Sequence, residues 1–342
     1  MAVTIRDVAE AAGVSQSTVS RALSMPGLVN AATRERVQAA ARELGYQPNR
    51  AARGLITGRT GNLGLIVPDL SNPFFSSVVK GVQAAARAAD HSVFIADTDE
   101  DADVEVDLLR ALSKQVDGTI LCSPRAPDVE LAAVGIDSAL VLMNRRVDGR
   151  PGVTVDNADG MRQAVAHLAA LGHRRIAFVA GPRTSWSNEQ RESGLQRSAE
   201  ASGIELVHVG YFPPQFEGGV AAGDLVIASG ATAVIAYNDV VAIGLLSRLG
   251  ARGVSVPEQI SVVGCDDIGM SAMTHPPLTT VSVPKHEAGR AAVAMLLSLL
   301  ADNDGASTPQ RELPTQLMVR ASTGVAPESD RFRGRPTKGS TQ

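Results

Sequence analysis

A chain of 342 residues exceeds one small domain and suggests two or three. With 44% apolar and 20% charged residues it groups with globular chains that bury a sizeable core, not with disordered ones. The formal net charge is −4, yet residues 1–60 hold eight arginines, no lysine and four acids, a local +4. A basic head on an acidic body points to a polyanion partner for the head. Cys122 and Cys265 are too few and too far apart for a disulfide framework or a zinc pattern, so neither a metal nor a cofactor is expected. The N-terminal residues lack the apolar stretch of a signal peptide, and no run of about 18 apolar residues offers a membrane span. A cytoplasmic protein with no membrane partner is the expectation.

Residues 4–45 read as three short helices. Thr4 and Asp7 have capping-box spacing, and Ile5, Val8, Ala9 and Ala12 then form one helical face, closed by Gly13. Ser15 caps a second helix with Thr18, Val19, Ala22 and Leu23 at helical spacing. Asn30 caps a third, with Val37, Ala40, Ala41 and Leu44 expected to face inward. Helix, short Gly-bearing turn and second helix make a helix-turn-helix. Ser15, Gln16, Ser17, Thr18, Ser20 and Arg21 supply short hydrogen-bonding groups and one guanidinium, suited to base edges in a major groove. An ordinary polar surface on a small helical bundle is the plainer alternative.

The run Asp7-Val-Ala-Glu-Ala-Ala-Gly-Val-Ser-Gln-Ser-Thr-Val-Ser-Arg-Ala-Leu23 resembles the N-terminal signature of the LacI/GalR (lactose-repressor) family of transcriptional regulators. Thr33-Arg-Glu-Arg-Val37 and Leu44-Gly-Tyr-Gln-Pro-Asn-Arg-Ala-Ala-Arg-Gly-Leu55 extend the likeness, as do Val155-Asp-Asn-Ala-Asp-Gly160, the 167–176 segment and Pro277-Leu-Thr-Thr-Val281. It covers about residues 3–325. The resemblance implies an all-α helix-turn-helix head (1–46), a hinge helix and linker (47–60), and an α/β periplasmic-binding-protein-like body (61–325) of two doubly wound subdomains. The N-subdomain would comprise about 61–157 plus 284–311, and the C-subdomain about 158–283 plus 312–325. The implied protein is a homodimeric repressor on a pseudo-palindromic double-stranded operator, controlled by a small effector, most often a sugar. The helix at 73–89 and the one near 216–229 would contribute to the dimer interface. A purine- or nucleoside-dependent corepressor mode is the alternative within the family. Gln16 and Ser17 match its variable base-reading positions; Thr18, Ser20 and Asn30 match phosphate-contacting ones, and Thr4 is a further DNA-binding candidate.

The hinge segment allows at most two helical turns, marginal alone in water, and Gly54 weakens it further. By physics alone it reads as a flexible linker. The family resemblance makes it a hinge helix whose Leu55 wedges into the minor groove, with Asn49, Arg50 and Ala52 beside it.

From residue 62, short apolar runs at 63–67, 92–96, 118–122 and 139–143 alternate with helical stretches, and a second series follows at 176–179, 206–209, 233–236 and 260–263. Such strands imply parallel sheets covered on both faces, with ligands at their carboxyl ends. Asn72, Phe74 and Phe75 follow the first strand, Asn144 the fourth, and Trp186 and Arg191 the fifth; Phe212, Asn238 and Asp266 follow later strands. By resemblance these nine residues bind the effector. An arginine, an asparagine, an aspartate and an aromatic face suit a polyol. Plainer readings make Asn238 and Asp266 caps or loop bends, and Arg191 a surface ion-pair partner. His167 and His173 are expected to pack or cap. The tail, residues 326–342, is polar and expected to be disordered. An enzyme on the same scaffold lacks support, since no dinucleotide-binding glycine motif, nucleophile elbow or phosphate loop occurs. A solute-binding protein would need an export signal and no basic head.

Overall fold

The computed structural model describes residues 3–24, 26–46, 59–133, 139–301 and 308–328. The hinge residues Asn49, Arg50, Ala52 and Leu55, and most of the tail, lie outside them. The chain divides into two compact units, Met1–Asn62 with Gln115–Asp117, and Leu63–Lys114 with Gly118–Gln342.

The first unit carries α1 (Ile5–Ala12), α2 (Gln16–Ser24) and α3 (Ala31–Glu43). The Asp7 carboxylate accepts the Thr4 backbone N–H at 2.8 Å and the Thr4 hydroxyl at 2.9 Å, tying down the start of α1. Gly13 ends that helix at φ 64°, a left-handed conformation that suits glycine. Val8, Ala9, Ala12, Val19, Ala22, Val37, Ala40 and Ala41 form a small buried core. Leu44 departs from expectation. It follows α3 and is 38% exposed, because the chain turns at Gly45 and sends Tyr46 onto the core instead.

The second unit is built on two six-stranded sheets. One contains β1 (Asn62–Val67), β2 (Ser92–Asp97), β3 (Gly118–Cys122), β4 (Ala139–Met143), β5 (Gly152–Val155) and β11 (Gln310–Leu313) in the order β11-β5-β4-β3-β1-β2. The other contains β6 (Arg175–Ala180), β7 (Glu205–Tyr211), β8 (Ala233–Ala236), β9 (Ser261–Asp266), β10 (Thr279–Ser282) and β12 (Gln316–Met318) in the order β12-β10-β9-β8-β6-β7. Strands β1–β5 and β6–β10 follow the same doubly wound order, shifted by five, and β11 and β12 add the same edge to each, except that β12 runs antiparallel to β10. Each sheet has its switch point beside its first strand, where a crevice opens at the carboxyl ends.

Helices α4 (Pro73–Ala88), α5 (Ala102–Leu112), α6 (Asp128–Ala133) and α11 (Lys285–Ala301) cover the first sheet. Helices α7 (Asn157–Ala170), α8 (Trp186–Ala201), α9 (Phe216–Ala228) and α10 (Asp239–Ala251) cover the second. Contact between α4 and α11 depends on Gly81 and Gly289; a Cβ on Gly81 would lie 2.5 Å from the His286 carbonyl oxygen. Among the described residues no helix is long and apolar enough to cross a membrane.

The chain passes between the two lobes three times, at 155–157, 282–285 and 313–316. Two of these passages are hydrogen-bonded to each other. Asp156 N–H donates to the Leu313 carbonyl at 2.9 Å, and the Thr315 hydroxyl donates to the Asp156 carbonyl at 2.9 Å. One continuous apolar cluster runs through both lobes, from Leu63 and Phe75 through Val155 and Val281 to Phe178 and Val263.

His173 is fully buried, with Nδ1 2.8 Å from the Thr232 hydroxyl and Nε2 3.1 Å from the Gly324 carbonyl. Burial pushes its pKa below 6.5. The unfolded chain therefore takes up this proton first, so the stabilisation is present above about pH 6.5 and is lost on acidification. Melting temperature should fall between about pH 7 and 5, and a His173→Gln variant, less stable throughout, should fall less steeply over that interval.

Candidate functional site

The carboxyl ends of both sheets converge on a cleft lined by Asn72, Phe74, Phe75, Glu100, Ser123, Arg125 and Asn144 from the first lobe. Ser187, Arg191, Pro214, Tyr237, Asn238 and Asp266 line it from the second. Asn72, Phe74, Phe75, Asn144, Arg191, Asn238 and Asp266 are therefore brought together as the sequence suggested. Trp186 and Phe212 are not. Trp186 is the first residue of α8 rather than a loop residue, and Ser187 beside it faces the cleft. Phe212 packs, half-buried, against the apolar cluster that contains Val226, Val241 and Leu245.

Three helices begin at the cleft, and each start is capped. Asn72 accepts from Phe74 N–H at 3.0 Å, Ser185 from Asn188 N–H at 3.3 Å, and Asn238 from Val241 N–H at 2.8 Å. Pro73 then occupies the first turn of α4, where its missing N–H costs nothing. The rings of Phe74 and Phe75 meet edge to face at 5.0 Å, giving the first wall an apolar patch.

Arg191 is 5% exposed, and all three of its nitrogens have partners. Nε donates to Asn157 Oδ1 at 2.9 Å, Nη1 donates to the Tyr237 carbonyl, and Nη2 donates to Asp266 Oδ1 at 3.4 Å. Arg191 is thus a buried hub and not a surface ion pair. Burial pushes the Asp266 carboxyl up to about 6 against the opposing pull of Arg191 and Lys285. Behind it, Asp239 accepts from Ile268 N–H at 2.9 Å and from the Ser271 and Thr280 hydroxyls at 2.5 Å each. Burial and the neighbouring Asp266 charge raise Asp239 to about 7.

Six residues that line the cleft went unnoticed in the sequence: Glu100, Ser123, Arg125, Ser187, Pro214 and Tyr237. Four cleft residues share a backbone signature. Glu100, Ser123, Asn144 and Asp266 have φ of 63°, 49°, 52° and 113°, which non-glycine residues adopt at a cost. Strain of this kind persists where surrounding structure over-determines it, and here it turns side chains off strand ends into the crevice. The two thiols take no part in such chemistry. Burial drives both Cys122 and Cys265 up to about 12.

On the head, Gln16, Ser17 and Arg21 are exposed, while Thr18 and Ser20 are half-buried. The Ser15 hydroxyl lies 2.8 Å from those of both Ser17 and Thr18 and accepts from Thr18 N–H at 3.1 Å. Asn30 caps α3 through Thr33 N–H at 2.8 Å. Thr4, Ser15 and Asn30 thus all sit at helix starts, where N–H groups collect.

Residues 4–49 match "Bacterial regulatory proteins, lacI family", and residues 165–323 match a "Periplasmic binding protein-like domain". The HTH-type transcriptional repressor CytR of Escherichia coli K12 is 33% identical over 345 residues, covering 95% of this chain and 98% of CytR. The chain belongs to the LacI family. Its fold also matches the lac repressor dimer bound to operator and the anti-inducer ONPF, with a TM-score of 0.82, 30% identity and coverage of 95% and 100%. The transcriptional regulator CelR in complex with cellobiose matches with a TM-score of 0.69, 31% identity and coverage of 94% and 99%.

The buried hub predicts a measurable coupling. Arg191→Ala leaves the Asp266 carboxylate in the interior without its guanidinium and should cost about 3–5 kcal/mol in urea unfolding. Adding Asp266→Asn to that variant should recover part of the loss, so the two substitutions should be clearly non-additive.

Proposed function

We infer that this LacI-family member is a cytoplasmic transcriptional repressor rather than an enzyme. Paired heads of a homodimer would read a pseudo-palindromic operator, and a small polyhydroxylated effector, a sugar by class, would set operator affinity from the cleft. The observation that carries the reading is the presence in one chain of a three-helix head with an exposed polar α2 and a cleft of buried, convergent polar groups. Similarity to relatives extends over both parts. One is bound to operator and an anti-inducer, and another is in complex with cellobiose.

In the head, Gln16 is the best base reader. It is exposed and its side chain makes no hydrogen bond among those of the described residues, whereas the Ser17 hydroxyl is held by Ser15. Its amide suits a bidentate contact to adenine. Arg21 supplies a guanidinium for a base edge or a phosphate, and Thr4, Ser15, Thr18, Ser20 and Asn30 would position the head on the backbone. Asn49, Arg50, Ala52 and Leu55 keep their hinge roles in this reading, with Leu55 as the minor-groove wedge. The division into head (1–46), hinge (47–60) and two-part body (61–325) belongs to the same proposal.

In the cleft, Asn72, Asn144, Arg191, Asn238 and Asp266 offer donors and acceptors, and Phe74 and Phe75 offer a face for C–H groups. A ligand touching both walls would favour one lobe arrangement, and only such differential binding shifts an equilibrium. Selecting binding sites for the purified chain from random DNA should return a two-fold symmetric sequence. Exchanging Gln16 and Ser17 for other residue pairs should change the half-site, each wrong base costing about 1–3 kcal/mol. Thr18→Ala should weaken binding to all sequences alike. Loss of affinity without any change of preferred half-site in the Gln16/Ser17 variants would contradict the assignment.

A further inference from the structure

We propose that the Glu100–Arg125 ion pair is a charge filter in the first wall of the cleft: it admits a neutral polyhydroxylated ligand and rejects the phosphorylated or carboxylated form of the same molecule. The inference deepens the effector reading above and rests on it for the ligand's place, though its electrostatic claim is separable.

Arg125 follows β3, and its side chain is 3% exposed. Nε and Nη2 grip the two Glu100 oxygens at 2.6 and 3.0 Å, and Nη1 donates to the Ser123 carbonyl at 2.8 Å. The backbone beneath is fixed as well. Buried Glu105 accepts the N–H of Arg125 at 2.9 Å and of Ala126 at 3.2 Å. Glu100 reaches this position from a turn in which Asp99 and Glu100 are both left-handed, at φ 52° and 63°. Two consecutive strained residues indicate a carboxylate held in place by its surroundings.

The bidentate pair leaves Arg125 with two unused N–H groups and Glu100 with spare lone pairs at the cleft surface. A hydroxyl both donates and accepts and is neutral, so it can satisfy such a pair; a phosphate or carboxylate brings a negative charge that would face the Glu100 carboxylate. On the opposite wall Arg191 is matched by Asp266, through a single contact at 3.4 Å. Each guanidinium lining the cleft therefore has its own carboxylate, and the four formal charges cancel. Helix starts would ordinarily attract an anion. Here Asn72, Ser185 and Asn238 each already take one of those N–H groups. Among the residues that line the cleft, an anion would find no cation without a carboxylate.

The test uses the full chain and inorganic phosphate, read by thermal shift and by the fluorescence of Trp186, the single tryptophan, next to cleft residue Ser187. Glu100→Gln releases the Arg125 guanidinium and should bind phosphate at least about tenfold more tightly than wild type. Glu100→Gln combined with Arg125→Met should lose that gain. Equal phosphate affinity in wild type and Glu100→Gln, or a gain that survives loss of Arg125, overturns the filter. Wild type alone gives a second arm that needs no variant to fold. Ribose against ribose 5-phosphate, glucose against glucose 6-phosphate, and cellobiose against cellobionate should each favour the neutral member at least about tenfold. Tighter binding of any anionic member overturns the proposal. If no sugar of either kind binds, the sugar-effector reading fails, while the phosphate arm still decides the charge claim.

Discussion

Burial of the Arg191 guanidinium at the base of the cleft is the constraint on which the second wall depends. A buried charge is tolerated only when paired and hydrogen-bonded. Three separate elements meet that demand: Asn157 at the start of α7, the Tyr237 carbonyl after β8, and Asp266 at the end of β9. Their relative positions are fixed by one side chain. Asp239 extends the network to Ser271 and Thr280, and Lys285 donates to the carbonyls of Asp266 and Asp267. Lys285 opens α11, whose helix packs against the first sheet. The polar corner of the second lobe thus touches the chain at one of its passages to the first.

That connection places the cleft's polar groups beside the chain that links the two lobes. The lobes share three chain passages and one apolar core, which resist large relative displacements. The first wall contributes a lateral tie of its own. Arg145, one residue past the strained Asn144, pairs with Asp128 at 2.6 Å and donates to the Thr184 carbonyl of the other lobe at 3.3 Å. A ligand that engages both walls acts on the same coordinate as this tie.

The sequence disclosed the architecture more fully than the site. Apolar runs such as Gly118–Cys122, buried along their whole length, mark parallel strands because both faces are covered. Gly13, Ser15 and Asn30 were legible because turn and cap chemistry is local. Seven cleft residues were recognised from family motifs at strand ends. Glu100 and Arg125 were missed, since an ion pair 25 residues apart has no periodic signature. Tyr237 was passed over for its neighbour Asn238, although both line the cleft. Phe212 and Trp186 are not among the lining residues although motif position suggests them, because place in the chain does not decide which of two neighbours, such as Trp186 and Ser187, lines a crevice. Leu44 and Tyr46 show the same limit, because a turn at Gly45 decides which of two apolar side chains reaches the core.

The central claim is that one ligand engages both walls at once and thereby selects a lobe arrangement. Hydrogen exchange across a titration with a neutral sugar that raises the melting temperature tests it most directly. Backbone amides around Glu100 and Arg125 in the first wall, and around Tyr237 and Asp266 in the second, should slow together, with the same apparent affinity. Protection confined to one wall, or appearing at two different affinities, would contradict the account.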